Sequence, residues 1–212
     1  MTFRHLNDLL VRFADYPPER IRLTPAPGTA TKQDVLDIDR TEGKLCELID
    51  GVLVEKAVGF KEAFLATRLS TLLNVFAEQH DLGIVLGADG TVELFPGQVR
   101  IPDVSFYSWA KLPGRRIPDD PIPELAPDLA VEVLSRTNTR GEMFAKRKDY
   151  FFAGVRLAWF VDPRARTVEV YTSPDLATTL TDADALTGGD VLPGFSLPVA
   201  QVFASDPPPA GP

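Results

Sequence analysis

Two acids stand beside apolar, strand-like runs: Asp103 in Ile101-Pro102-Asp103-Val104-Ser105-Phe106, and Glu132 in Leu129-Ala130-Val131-Glu132-Val133-Leu134-Ser135. A carboxylate among apolar residues is costly to bury unless a partner compensates its charge. Two of them, each followed by more apolar sequence, suggest carboxylates aimed at one divalent cation. A basic, helix-like stretch follows the second acid and carries Lys146 and Lys148, a source of the positive charge that phosphate hydrolysis uses. Together these residue types point to metal-dependent phosphodiester chemistry.

The chemistry explains the residue types. Hydrolysing a phosphodiester needs a water made nucleophilic near neutral pH and neutralisation of charge at the phosphoryl and leaving oxygens, both within reach of a bound divalent ion. Magnesium prefers oxygen, keeps several waters and is commonly held by one or two carboxylates. With Cys46 the single cysteine and His5 and His80 the only histidines, the chain lacks the donors of a Cys/His zinc site, so a metal here must be held by oxygen. On a helix, Lys146 and Lys148 project about 200° apart, so both cannot face one site.

Composition bounds the rest. The chain has 212 residues, 44% hydrophobic and 25% charged, the balance of an ordinary globular protein of one domain, or at most two. No apolar run approaches the roughly 20 residues of a membrane helix, and the N-terminus lacks a signal-peptide core, so a cytoplasmic protein with no membrane association is expected. The net charge of −8 opposes nucleic-acid binding over the whole surface. Basic residues are nonetheless clustered, with Arg136, Arg140, Lys146, Arg147 and Lys148 after Glu132, and Lys111, Arg115 and Arg116 after Asp103. Read as charge patterning alone, these clusters are equally well solvated faces.

The elements that must position the acids can be read from periodicity and punctuation. Residues 1–44 read as an N-terminal helical extension, with a helix over Phe3 to Phe13, breaks at Pro17-Pro18 and Pro25-Ala26-Pro27-Gly28, and a second helix from near Thr31. Asp50-Gly51 between apolar runs predicts a hairpin. Phe64, Leu65, Leu69, Leu72, Leu73 and Phe76 fall at helical spacing and predict a long helix from Phe60 to His80. Strands are predicted at Gly83 to Leu86, Thr91 to Phe95, Pro102 to Tyr107 and Asp128 to Leu134, the last after a proline-rich connection from Leu112 to Pro127 that could reach over a substrate. Asn138 or Thr139 can cap a helix running to about Ala153, and Leu157 to Val161 with Thr167 to Tyr171 read as a hairpin turned by Asp162-Pro163-Arg164. The main domain spans 45–204, and residues 205–212 form a Pro-rich tail that composition marks as disordered.

Several of these segments carry a family resemblance. Glu47-Leu48-Ile49-Asp50-Gly51, Arg100-Ile101-Pro102-Asp103-Val104-Ser105-Phe106, Val131-Glu132-Val133-Leu134-Ser135, and Tyr150 through Ala153-Gly154-Val155, Trp159 and Val161-Asp162-Pro163 resemble the Uma family of restriction-type endonucleases, within the PD-(D/E)XK nuclease superfamily. The resemblance covers roughly Leu45 to Phe203. It implies an α/β (α+β) fold, a restriction-endonuclease-like mixed central β-sheet flanked by α-helices, and Mg²⁺-dependent cleavage of phosphodiester bonds in DNA, with Mn²⁺ as an alternative ion. It implies Asp103, Glu132 and the backbone carbonyl of Val133 as metal ligands. The lysine usual two positions after the second acid is replaced by Leu134, and the family spacing, four positions before Tyr150, favours Lys146 over Lys148 as the relocated cation.

Glu47 and Glu62 are candidate supporting acids. Glu62 lies where family members often carry a histidine, and as a first-turn acid it can equally serve the helix dipole. Trp109, Trp159, Tyr150, Phe151 and Phe152 could stack on bases but read more simply as core. A homodimer would supply two sites for cutting both strands. A second reading is a catalytically silent protein that keeps the nuclease scaffold for nucleic-acid binding or assembly, which the acidic charge and Leu134 both permit; a third is a hydrolase of small phosphoesters.

Overall fold

The computed structural model describes residues 3–57 and 59–204. Asp50 and Gly51 both adopt positive φ, 51° and 75°, the backbone a two-residue hairpin turn requires. They join β1 (Cys46–Ile49) to β2 (Val52–Glu55), and β1 pairs on its other edge with β5 (Gln98–Arg100), which in turn pairs with β4 (Val92–Phe95). This antiparallel sheet has the order β2-β1-β5-β4.

The larger sheet comprises β3 (Gly83–Leu86), β6 (Val104–Ser108), β7 (Leu129–Val133), β8 (Leu157–Asp162), β9 (Thr167–Tyr171) and β10 (Ala177–Leu180), in the order β10-β9-β8-β7-β6-β3. Its sole parallel pair is β7 with β8. Parallel neighbours need a crossover, supplied here by α4 (Arg140–Phe152). That helix begins where the Thr139 side chain accepts a hydrogen bond from the Glu142 N–H and stops before Gly154, whose φ is 90°.

Strand alternation divides the sheet into two faces. Val131 and Val133 of β7 and Trp159 and Val161 of β8 pack with Leu69 and Leu73 of α3 (Phe60–Gln79), beneath a closing unit of β11 (Ala185–Gly188), β12 (Leu192–Pro198) and α5 (Val199–Val202). The opposite face turns Ala130 toward Tyr150 and Val155, and Ala158 and Phe160 toward Met143, all on or just after α4. The result is the mixed sheet flanked by helices that the sequence implied.

Within the N-terminal segment, α1 (Leu6–Arg12) and α2 (Lys32–Glu42) lie against the smaller sheet. Leu9, Phe13 and Tyr16 pack with Ile49, Val52 and Val54, and Val35 and Ile38 with Leu48 and Val99. Arg20 reaches Glu142 of α4 at 2.8 Å. The Leu112–Pro127 connection is anchored to this sheet: Ile122 is buried beside Val99, and backbone hydrogen bonds join Glu93 to Pro123 and Leu125. Its last residues therefore pack as part of the fold, while residues 113–121 are exposed and border a cavity of about 230 Å³ with Ile84, Leu86 and Tyr107. The Pro-rich tail expected over 205–212 lies outside the described residues. No helix among the described residues is long and apolar enough to cross a membrane.

Leu69 is fully buried between α3 and the sheet, whereas Val75 on the same helix is exposed. Leu69→Ala is expected to cost about 2–5 kcal/mol in urea unfolding, and Val75→Ala no more than about 0.5 kcal/mol.

Candidate active site

Glu132 occupies an even position of β7 and so faces α4. On that helix Lys146 and Tyr150 are four residues apart and share a face. The Lys146 ammonium lies 3.0 Å from Glu132 Oε2 and 2.9 Å from Glu47 Oε1, and the Tyr150 hydroxyl donates to Glu132 Oε1. One cation of the crossover helix thus joins carboxylates from the two sheets. Glu47 also accepts from Arg100 Nη1 at 2.7 Å and from the Ile101 N–H at 3.3 Å. Arg100 in turn donates through Nε to Asp149 of α4 at 3.1 Å and through Nη2 to the Tyr16 hydroxyl at 3.3 Å. Glu47, Arg100, Glu132 and Lys146 are all buried, each at most 4% exposed.

Asp103 sits in the bend immediately before β6. Its backbone N–H donates to the Val131 carbonyl at 2.9 Å, while its carboxylate Oδ2 accepts the Val133 N–H at 2.7 Å. This double clamp fixes Asp103 alongside the segment of β7 that carries Glu132. The other oxygen, Oδ1, pairs with Lys56 at 2.9 Å, and the same ammonium donates to the carbonyls of Ala88 and Ile101.

Burial sets the electrostatics, and the partners decide its direction. Burial alone would raise the Glu47 carboxyl, but Lys146 and Arg100 outweigh it and hold its pKa down at about 2. Glu132 goes the other way: burial raises it, and repulsion from Asp103 and Glu47 adds to burial against the opposing pull of Lys146. Burial works against the charge of Lys146, yet Glu132 and Glu47 more than compensate and raise its pKa, so it stays an ammonium. Burial and the adjacent Glu132 also keep Tyr150 protonated, as a hydrogen-bond donor.

Of the residues singled out in the sequence, Glu47, Glu132 and Lys146 are in direct contact, and Asp103 adjoins them through Val133 and the β6–β7 pairing. The Val133 atom that meets Asp103 is its N–H. Lys148 is exposed and lies 5.2 Å from the Phe144 ring centroid, away from the acids. Glu62 folds back over Gly59 at the start of α3, within a separate cavity beside Arg136 and Pro163. Sequence reasoning gave no chemical role to Lys56, Arg100, Asp149 or Tyr16. The spacing Lys146-x-x-Asp149-Tyr150 does hold a signal, since positions three and four apart on a helix face one way.

The donor set suits a hard cation in part. Among the described residues no group of three or more His, Cys, Asp or Glu side chains is arranged to hold a metal. Asp103 and Glu132 nevertheless offer carboxylate oxygens with a second lone pair beyond each hydrogen bond already accepted. A magnesium ion needs no more than one or two such groups. A cation beside them would also relieve the repulsion that raises Glu132.

The profile of a family described as "Uma2: Putative restriction endonuclease" matches residues 33–200, most of the chain. The chain belongs to the Uma2 family. The Uma2 match spans all four residues of the site, Glu47, Asp103, Glu132 and Lys146. Among solved structures, "a putative nuclease belonging to DUF820" from Anabaena variabilis ATCC 29413 is similar, with a TM-score of 0.67 over 75% of this chain and 89% of that one; at 18% identity the likeness is one of fold. A search of curated proteins gave no match.

A carboxyl whose folded pKa lies below its ordinary 4.5 contributes stability above that value and loses it as pH falls toward 2. Glu47→Gln is therefore expected to lower stability at pH 7 by about 3–5 kcal/mol, because it strips charge compensation from Arg100 and Lys146. The gap to the native protein should narrow as pH is lowered from about 4.5 toward 2, as read from denaturant midpoints at successive pH values.

Proposed function

We propose that this Uma2 protein is a Mg²⁺-dependent endonuclease that hydrolyses phosphodiester bonds in DNA, with Mn²⁺ able to substitute. The observation that carries the reading is the buried Lys146 ammonium bonded to Glu132, with Asp103 clamped beside it by Val133. In the superfamily arrangement the lysine comes two residues after the second acid, on the same strand face. Here that place is taken by Leu134, which packs with Met143 and Phe160, and Lys146 descends onto that face from α4. An ammonium is thus restored from a different element.

In this reading Asp103 and Glu132 hold the ion, with the Val133 carbonyl as a third protein ligand. When bound, Mg²⁺ would polarise the phosphoryl group and lower the pKa of a water. Glu132 and Glu47 favour the ammonium form of Lys146, so it serves to orient water and to stabilise developing negative charge, not to remove a proton. Glu47 and Arg100 position Lys146, and Tyr150 positions Glu132 by donating to it. Cleavage of both strands would call for two such sites, hence a homodimer.

A catalytically silent scaffold is the competing reading. It is favoured by the engagement of each oxygen of Asp103 and Glu132 by a donor of the protein itself, together with the net charge of −8. The readings separate in a plasmid assay with Mg²⁺. The native protein is expected to convert supercoiled to nicked or linear DNA; Asp103→Ala, Glu132→Ala and Lys146→Met should each lose at least about 100-fold in rate, and Lys148→Ala should retain it. Equal rates in all variants would remove the acids from the chemistry, and Mg²⁺ binding without cleavage would favour the silent scaffold.

A further inference from the structure

Two adjoining cavities sit where β7 runs into α4. The larger, about 610 Å³, lies between α4 and strands β8 and β9 and is lined by Leu134 and Ser135, which follow directly on Glu132-Val133. The smaller, about 440 Å³, lies at the start of α3 and shares Ser135 and Arg164 with it. Five cations border the two: Lys61, Arg136, Arg140, Arg147 and Arg164. The three acids there have local partners or a local place. Asp162 accepts the N–H groups of Arg164 and Ala165 in its own turn and lies 3.8 Å from the exposed Arg164 guanidinium, Glu169 accepts the Tyr171 hydroxyl, and Glu62 lies over Gly59. A chain of net charge −8 thus concentrates positive charge along one groove.

The larger cavity also offers flat surfaces. The Arg147 guanidinium lies 4.2 Å from the Tyr171 ring centroid and 5.0 Å from that of Phe144, so it rests against two aromatic rings. Its Nε is buried and has no hydrogen-bond partner among the described residues. Phe160 meets Tyr171 edge-on at 5.5 Å and braces the far wall. A guanidinium beside two aromatic rings, lining a concave cavity of about 610 Å³, offers flat faces on which a base can stack. Bases stacked and paired within a duplex cannot enter such a recess; an unstacked one can.

We propose that these cavities form a track for a single nucleic-acid strand, in which Lys61, Arg136 and Arg164 follow the phosphates and the Arg147–Tyr171 cavity takes one unstacked base. The substrate class is then DNA with an unpaired segment, such as a single strand, flap or frayed end. This inference rests on the nuclease reading for its purpose but not for its test.

The test is fluorescence anisotropy in EDTA, where no cleavage occurs, with a labelled 12-nucleotide single strand, the same strand carrying abasic sites, and a blunt duplex of the same sequence. The expected result is single-strand binding at least about tenfold tighter than duplex binding, a comparable loss on removing the bases, and a further comparable loss in an Arg136→Ala/Arg164→Ala protein, whose altered residues are exposed. Arg40→Ala, which removes an exposed cation of α2 outside both cavities, should retain binding and show that loss of charge alone is not enough. Equal affinity for duplex and single strand, or no change in the double variant, would overturn the track. Preferential single-strand binding with no cleavage in Mg²⁺ would uphold the track while sinking the nuclease reading. Cleavage that the double variant and the abasic strand leave untouched would do the reverse.

Discussion

Keeping one ammonium charged inside the protein is the constraint on which the rest of the structure depends. Lys146 is almost fully buried, and a lone buried cation would be driven to give up its proton. Glu47 and Glu132 prevent that, yet each is a buried acid needing donors of its own, which Arg100, Ile101 and Tyr150 supply. Arg100 then calls for Asp149 and the Tyr16 hydroxyl. The chain of compensation crosses both sheets, α4 and the N-terminal segment. A network of this kind stabilises only when every member is satisfied, so its pieces stand or fall together.

Topology explains how residues so distant in sequence meet. The parallel β7–β8 pair requires a crossover, and that crossover places a helix over the face toward which Glu132 points. Once α4 lies there, residues four apart on it address the same acid, as Lys146 and Tyr150 do with Glu132, while Asp149 accepts from Gln98 and Arg100. The Arg20–Glu142 pair, with Thr139 at the helix start, fixes how far along the sheet those side chains fall. A strand lysine would have needed none of this. With leucine at position 134, the helix must be placed well for the ammonium to arrive.

Much of this was legible in the sequence, for physical reasons that differ by residue. Asp103 and Glu132 stood out because carboxylates in apolar runs demand compensation. The Asp50-Gly51 turn, the long α3 and the Thr139 cap were readable because local sterics and periodicity decide them. Lys146 was separated from Lys148 by helical geometry and family spacing, and the structure buries the first and exposes the second. Arg100 was harder to see, since it belongs to a three-residue strand too short to show alternation. Lys56 lies just past β2 and looks like a solvated strand end; its partners, Asp103 from the bend before β6 and the carbonyls of Ala88 and Ile101, arrive only with tertiary folding. β10 shows no apolar alternation, with Ala177-Thr178-Thr179 exposed, and is held by pairing with β9, whereas β11 and β12 alternate only over short stretches, as Phe195 and Leu197 do about Ser196.

The central claim is that Asp103 and Glu132 converge on one cation with Lys146 alongside. It is tested most directly by anomalous diffraction from a crystal soaked in Mn²⁺, which scatters strongly enough to be located independently of the protein phases. The expected result is a single anomalous peak within about 2.0–2.6 Å of carboxylate oxygens from both Asp103 and Glu132, with the Lys146 ammonium still bonded to Glu132. A peak at other residues, or none at this pair despite occupancy elsewhere, would contradict it.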